Sequence, residues 1–343
     1  MKRLWLHSVR AYISLGLFFY YKKITLNHKD RIPKDEAVLF LGNHQNALLD
    51  PLLIATHSGR FSYFLTRASV FNNAIISKLL KSLLMLPVYR IRDGWNNLSN
   101  NAEIFNTCAE LFIKNEPIVI FPEGNHNLKR TVRPLSKGFT RIIFETFEKH
   151  PNIDLQLVPI GLNYFNADKF ADSALLFFGK PIAAKDLITE NRNESVINLK
   201  SRIHSEISRL TTHVESNQYD KTIEKLNDLN VNFLKPESVN KTISSNFQFY
   251  ETTKHNHFSS FRSFFKVILI LTLILPYAVW KLVAEPKVKD IEFKSTFRFA
   301  VALTLVPIWV LFLAVVLFLN FDWMVSLGYI IFVLCLTVIT VKA

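Results

Sequence analysis

The sequence predicts an α/β fold held between membrane segments, on three observations. Between about residue 37 and residue 180, short apolar runs alternate with stretches whose apolar residues recur at helical spacing. That alternation marks strands and helices stacked into a sheet with covered faces. The chain opens on a basic stretch that is apolar around most of a helical surface, and it closes on two long apolar runs joined by a short polar turn.

Composition narrows the class. Of 343 residues, 49% are hydrophobic, and 30 Phe stand against only 9 Gly, which suits a protein in contact with lipid. The formal net charge of +13 is compatible with a nucleic acid, an anionic membrane surface or an anionic substrate. The basic groups flank apolar segments and no nucleic-acid motif is present, so nucleic acid is not an expected partner. Cys108 and Cys335 offer neither a disulfide framework nor zinc spacing, and point to a reducing compartment.

The elements follow in order. On a helix, Arg3, His7, Arg10 and Ser14 form one polar stripe, with Leu4, Trp5, Leu6, Ile13, Leu17 and Phe18 around the rest. Residues 1–31 hold seven basic groups and one acid, Asp30. Residues 1–30 are therefore expected as an amphipathic helix on an anionic membrane face, in preference to a helix packed on the domain. Arg10 interrupts the apolar run and no small-residue cleavage site follows, so the stretch is not read as a signal peptide.

An α/β domain is expected over residues 31–185. Its predicted strands are Ala37–Leu41, Phe61–Thr66, Met85–Arg90, Ile118–Phe121, Leu155–Leu162 and Ala174–Phe178. Its predicted helices are Leu48–His57, Phe71–Leu84, Asn97–Asn115 and Lys137–Lys149. In the third, Phe105, Cys108, Ala109 and Phe112 form a core stripe. Residues 186–262 are polar and charged, and are expected as a solvated helical extension. Residues 263–343 are expected as the membrane region. Phe299–Leu319 and Met324–Val341 are each long enough to span, with Asn320–Trp323 as the turn of a hairpin. The run 267–280 is too short to span and is expected to be re-entrant or interfacial. Were it to cross, Lys281, Lys287, Lys289, Lys294 and Arg298 would lie outside, against the positive-inside rule. The α/β domain is thus expected on the cytoplasmic face of a membrane.

Three polar clusters end predicted strands. In "FLGNHQNALLD", His44 and Asp50 interrupt an apolar stretch. Burying both costs free energy unless they satisfy each other; they are either a core histidine beside a turn or part of a site. In "LPVYRIR", Arg90 and Arg92 share one side of an extended chain, as an anion site or a solvated strand end. In "IVIFPEGNHN", Pro122, Glu123 and Gly124 turn the chain out of a buried strand. The basic run Lys129, Arg130, Arg133 and Lys137 follows, either cradling a polar head group or solvated. Ligands of open α/β sheets bind beyond the carboxyl ends of strands, so the clusters can converge.

In that order "NHQNALLD", "LPVYRIR", "FPEGN" and "LVPI" resemble the four blocks of the glycerol-phosphate and lysophosphatidate acyltransferase family, over roughly residues 30–185. The whole chain looks most like its glycerol-3-phosphate/dihydroxyacetone-phosphate branch. The resemblance implies an acyltransferase-type mixed sheet flanked by helices. It implies transfer of a fatty acyl group from a thioester, acyl-CoA or acyl carrier protein, to a hydroxyl of glycerol-3-phosphate or its 1-acyl derivative in phospholipid biosynthesis. Two departures stand out. The family commonly places four residues between its His and Asp, whereas Gln45–Leu49 make five here, so the segment must contain a turn as well as a helix start. Asn125 and His126 replace the common Thr-Arg after Glu-Gly, which removes an arginine used against phosphate. Arg90, Arg92, Arg130 and Arg133 are the substitutes.

By this resemblance His44 is the general base and Asp50 orients it. Glu123 and Gly124 hold the glycerol end of the acceptor, Arg90 and Arg92 its phosphate, and Asn43 and Asn125 complete the substrate-binding set. The acceptor attacks directly, without an acyl-enzyme. No metal and no cofactor beyond the acyl-thioester co-substrate is expected. The rival readings are an acyltransferase for another lysolipid, and an inactive membrane scaffold or lipid-binding protein on this fold.

Overall fold

The computed structural model describes residues 2–89, 101–252 and 259–342. Its centre is one eight-stranded sheet. The strands are β1 (Lys23–Asn27), β2 (Ala37–Gly42), β3 (Tyr63–Arg67), β4 (Met85–Val88), β5 (Ile118–Ile120), β6 (Leu155–Tyr164), β7 (Ser173–Phe178) and β8 (Ile182–Ala183). They lie in the order β1-β7-β6-β2-β5-β3-β4, with β8 pairing β6 off this path. Strands β6, β2, β5, β3 and β4 run parallel; β7 and β8 pair antiparallel to β6, which makes the sheet mixed. Strand β2 is buried along its whole length because both faces of the sheet are covered.

Alternate residues of β2 enter different cores. Ala37, Leu39 and Leu41 pack with residues of α4 (Asn101–Ile113), α5 (Gly138–Lys149) and α6 (Arg192–Leu210). Val38 and Phe40 pack instead with α1 (Lys2–Tyr20), α2 (Leu49–His57) and Phe299. The chain leaving β2 thus goes to one face through α2, and the chain leaving the adjacent β5 goes to the other through α5. A crevice opens between two neighbouring parallel strands where their connections diverge in this way, and it lies beyond their carboxyl ends.

The membrane-facing parts attach to the α1 face. Helix α11 (Lys294–Asn320) and helix α12 (Trp323–Lys342) are both long and apolar enough to cross a bilayer. Apolar side chains such as Leu311, Phe318, Leu319 and Phe332 remain exposed along them. The root of α11 lies on α1: a Cβ at Gly16 would stand 2.5 Å from Leu303 Cδ1, so glycine permits this approach. Tyr20 packs edge-on to Phe299, and Arg298 donates to Tyr20 Oη and Asp168 O. At the other end of the hairpin Lys342 Nζ donates to Tyr21 O. Before α11, the segments Arg262–Thr272 and Ile274–Lys287 meet at 97°, the form of a broken span or a re-entrant loop.

Several expectations are corrected. The predicted helix over 1–30 ends at Tyr20, and Lys23–Asn27 instead pairs in parallel with β7, so the sheet starts before residue 31. The stretch 186–262 is not simply a solvated extension. Helix α6 buries Ser195, Leu199, Ile203 and Ile207 at i, i+4, i+8 and i+12 spacing and covers the sheet. Only α7 (Tyr219–Asp228) and α8 (Pro236–Ser244) form a small core of their own, around Val214, Leu226, Phe233 and Val239. Strand β4 ends at Val88, and Arg90 and Arg92 lie outside the described residues.

Candidate active site

The site begins where β2 ends. Asn43 follows Gly42 with its side chain buried; its Oδ1 accepts from Leu162 N at 2.7 Å, and its Nδ2 donates to Leu162 O at 3.0 Å. The amide thus prolongs the β2–β6 ladder by one side-chain rung. Asn43 was expected to bind substrate, but its donor and acceptor are committed to the strand beside it. Next, Ala47 adopts a left-handed φ of 39°, and Leu49 N donates to Asn46 O at 2.9 Å, closing a turn. This turn carries the extra residue of the His–Asp spacing. It brings Asp50, in the first turn of α2, back under His44.

His44 Nδ1 lies 2.8 Å from Asp50 Oδ2. Asp50 is 0% exposed and takes two further donors, Asn46 N on Oδ2 at 2.8 Å and Tyr164 Oη on Oδ1 at 2.6 Å. Both carboxylate oxygens are thus occupied as acceptors. An ionised carboxylate only accepts, so Nδ1 carries the proton and Nε2 keeps its lone pair. Among the described residues, Nε2 has no hydrogen-bond partner, and the His44 side chain is 14% exposed. The ring stacks on Phe121 at 4.2 Å between centroids. That combination, a held imidazole with one free basic nitrogen at a sheet's carboxyl edge, can take a proton from a bound hydroxyl.

The loop after β5 holds the same imidazole from the other side. Phe121–Gly124 form a tight turn, closed by Gly124 N donating to Phe121 O at 3.0 Å, with Gly124 at φ 73° in the region that glycine tolerates best. Gly124 N–H is therefore taken within the turn and does not face an acceptor. Glu123 is corrected likewise. Its side chain is 2% exposed; Oε1 accepts from His44 N at 3.3 Å and Oε2 from Arg133 Nε at 2.6 Å. The carboxylate thus braces the His44 main chain. Burial raises its pKa above the usual carboxylate range against the opposing pull of Arg133 and His44. Asn127 N donates to His44 O at 3.0 Å, so the His44 main chain is held at both its N–H and its C=O.

The four arginines put forward against phosphate separate. Arg130 is half-buried, donates to Tyr164 O and Phe165 O at 2.9 Å each, and lies 3.7 Å over the Phe233 ring. Desolvation brings its pKa down to about 10. It ties the α7–α8 unit to the end of β6, and these contacts engage its guanidinium. Arg133 is at the site: 26% exposed, it grips Glu123 and donates through Nη2 to Asn125 O. Asn125 itself is exposed at the rim. Arg90 and Arg92 lie outside the described residues.

One residue was not foreseen. Tyr164, at the end of β6, is fully buried with its hydroxyl on Asp50. A tyrosine closing an apolar run such as "LQLVPIGLNY" needs a buried partner for its hydroxyl, and that was the available signal. His126 meets His44 edge-on at 5.5 Å and Phe293 at 4.5 Å. Its Nδ1 is buried without a partner among the described residues, and burial with neighbouring His44 lowers its pKa. Phe293 stands just before α11, so the root of the membrane hairpin walls the site. Among the described residues no group of three or more His, Cys, Asp or Glu side chains is placed to hold a metal ion.

With this geometry in view, similarity to known proteins is informative. Residues 23–163 match the family described as Acyltransferase, and they form an acyltransferase-family domain. An uncharacterized acyltransferase of Schizosaccharomyces pombe is 35% identical over 80 residues, 23% of this chain and 12% of that protein. Glycerol-3-phosphate O-acyltransferase 1 of Saccharomyces cerevisiae is 33% identical over 91 residues, 26% of this chain and 12% of that protein. The matched stretches thus span only about an eighth of either yeast relative. The crystal structure of a 1-acyl-sn-glycerophosphate (LPA) acyltransferase from Thermotoga maritima superposes with a TM-score of 0.43 at 15% identity, over 60% of this chain and 81% of that one.

Proposed function

We propose that this domain transfers a fatty acyl group from an acyl-thioester, carried on coenzyme A or acyl carrier protein, to a hydroxyl of glycerol-3-phosphate or 1-acyl-glycerol-3-phosphate at a membrane. The observation that carries the reading is the His44 Nδ1–Asp50 Oδ2 contact of 2.8 Å at the carboxyl edge of an acyltransferase-family sheet. His44 Nε2 takes the proton of the acceptor hydroxyl as its oxygen attacks the thioester carbonyl. Asp50 holds the tautomer and stabilises the imidazolium. The tetrahedral intermediate collapses, the C–S bond breaks, and the thiolate leaves with the proton from Nε2. Direct attack is supported by the cysteines: Cys108 is buried with its thiol pushed up to about 12, and Cys335 lies within α12.

Arg133 is the partner for the acceptor's phosphate, because its guanidinium is fixed beside the base by Glu123 and still partly open. Arg90 and Arg92 are further candidates for the same anion. The apolar hairpin rooted beside Phe293 suits acyl chains and lipid products that partition into the bilayer, with the domain on the cytoplasmic face.

Product mass spectrometry on the full chain in proteoliposomes tests the reading. An acyl-thioester is supplied with either glycerol-3-phosphate or 1-acyl-glycerol-3-phosphate. Acylated product from one acceptor is expected, and it identifies the substrate. Folded protein that acylates neither contradicts the assignment.

A further inference from the structure

Helix α3 (Ala74–Ser82) joins β3 to β4 on the same sheet face as α1 and α2, yet it buries no residue. A connecting helix of a parallel sheet ordinarily turns its apolar stripe inward. Here Ile75 is 80% exposed, and Ile76, Leu79 and the preceding Val70 are exposed as well. The helix is nonetheless well formed: Asn73 Oδ1 caps it, accepting from Ile75 N and Ile76 N at 3.0 and 3.2 Å.

This surface has a neighbour. Trp5 Nε1 of α1 donates to Ser82 Oγ at the end of α3 at 3.2 Å, and Leu4 and Trp5 are exposed beside it. Further along, α1 lies against the root of α11 through Gly16, Phe299 and Leu303. An exposed apolar surface therefore runs from a membrane-crossing helix, along α1, to α3. Its charge is of one sign. Helices α1 and α3 contain Lys2, Arg3, Arg10, Lys78 and Lys81 and no Asp or Glu.

We propose that α3 lies in the headgroup boundary of an anionic phospholipid leaflet, beside the amino-terminal half of α1, as a membrane-docking element separate from the hairpin. Ile75 and Leu79 enter the acyl boundary, while Lys78 and Lys81 reach back to lipid phosphates. The surface continues into the span, and its charge complements an anionic leaflet; those two features select a bilayer over a protein partner. Docking here fixes the tilt of the sheet, and with it the height of the His44 edge above the lipid. The inference concerns placement only and does not depend on acyl transfer.

The test uses the full chain in vesicles of phosphatidylcholine with or without phosphatidylglycerol. Cys108 and Cys335 are replaced, and a single fluorophore is placed through Ile75→Cys. The control is Ile197→Cys, also an exposed isoleucine (65% against 80% for Ile75), on α6 on the opposite face of the sheet. The expected result is severalfold stronger quenching by nitroxide lipids than by aqueous iodide at position 75, the reverse at position 197, and a stronger lipid signal with phosphatidylglycerol. Lys78→Glu with Lys81→Glu should abolish that last gain. Iodide quenching at position 75 equal to that at 197 overturns the proposal. So does shielding from iodide without lipid quenching, which would mean that protein, such as a second copy, covers α3.

Discussion

The loops after β2 and β5 meet at one site but divide its labour unequally. In residues 43–50 one side chain is left with a free reactive atom, His44 Nε2, and the other polar groups hold it or the main chain around it. In residues 121–133 several polar groups are committed to holding, while Asn125 is exposed and His126 Nδ1 has no partner among the described residues. Glu123 braces the His44 amide, Gly124 closes its turn, Asn127 caps the His44 carbonyl, and Arg130 is drawn away to β6. Arg133 alone combines a bracing contact with remaining exposure. Two motifs of similar polarity thus differ: one presents an imidazole nitrogen without a partner among the described residues, and the other holds that imidazole's main chain. The difference arises because a buried polar group must find a partner, and the nearest partners are the other motif's main chain.

Substitutions can break this division, in decreasing order of effect. Asp50→Asn keeps the shape but loses the charge that fixes the imidazole tautomer; kcat should fall about 10³–10⁴-fold, read in the acyl-transfer assay with folding checked by proteolysis. Arg133→Ala removes the guanidinium proposed to meet the acceptor phosphate and should raise the acceptor KM about 10–100-fold. The thioester KM should change little. If both constants move together, Arg133 only braces Glu123. Tyr164→Phe deletes one donor to Asp50 and should lower kcat/KM by about tenfold or less. An unchanged kcat/KM would mean that Tyr164 only fills space.

The smallest effect concerns stability, and it contrasts two buried aspartates. Asp50 accepts three hydrogen bonds on its two oxygens. Asp172, beside the start of β7, accepts from Asn166 N at 2.9 Å, but its Oδ2 has no partner among the described residues. Burial raises the Asp172 pKa to about 6. A folded-state pKa above the unfolded value means that the folded chain holds the proton more tightly. This contribution favours folding below about pH 4 and is lost as pH rises through 6. Asp172→Asn should leave stability near pH 4 unchanged and raise it at pH 7 by on the order of 2–3 kcal/mol. Thermal unfolding in detergent at the two pH values checks this.

Much of this architecture was legible in the sequence because periodicity and burial act locally. The runs at Ala37, Ile118 and Leu155 became buried strands, and His44 with Asp50 stood out as polar groups in an apolar stretch. Strand β1 was hidden because "KITLN" is short and begins at the second of two lysines. The buried stripe of α6 was hidden by the charged residues between its members. The roles of Asn43, Glu123 and Arg130 escaped for another reason. Their partners, Leu162, Arg133 and Tyr164, are chosen by tertiary packing, and no spacing within a motif encodes them. Polarity marked the site but did not separate the reagent from its supports.

The measurement that bears most directly on the account is product formation by His44→Ala beside wild type, at equal folded protein and saturating substrates. The account predicts a fall of at least about 10²–10⁴-fold, the scale of a lost general base. Activity within a few-fold of wild type would mean that another group accepts the proton and that the His44–Asp50 pair is structural.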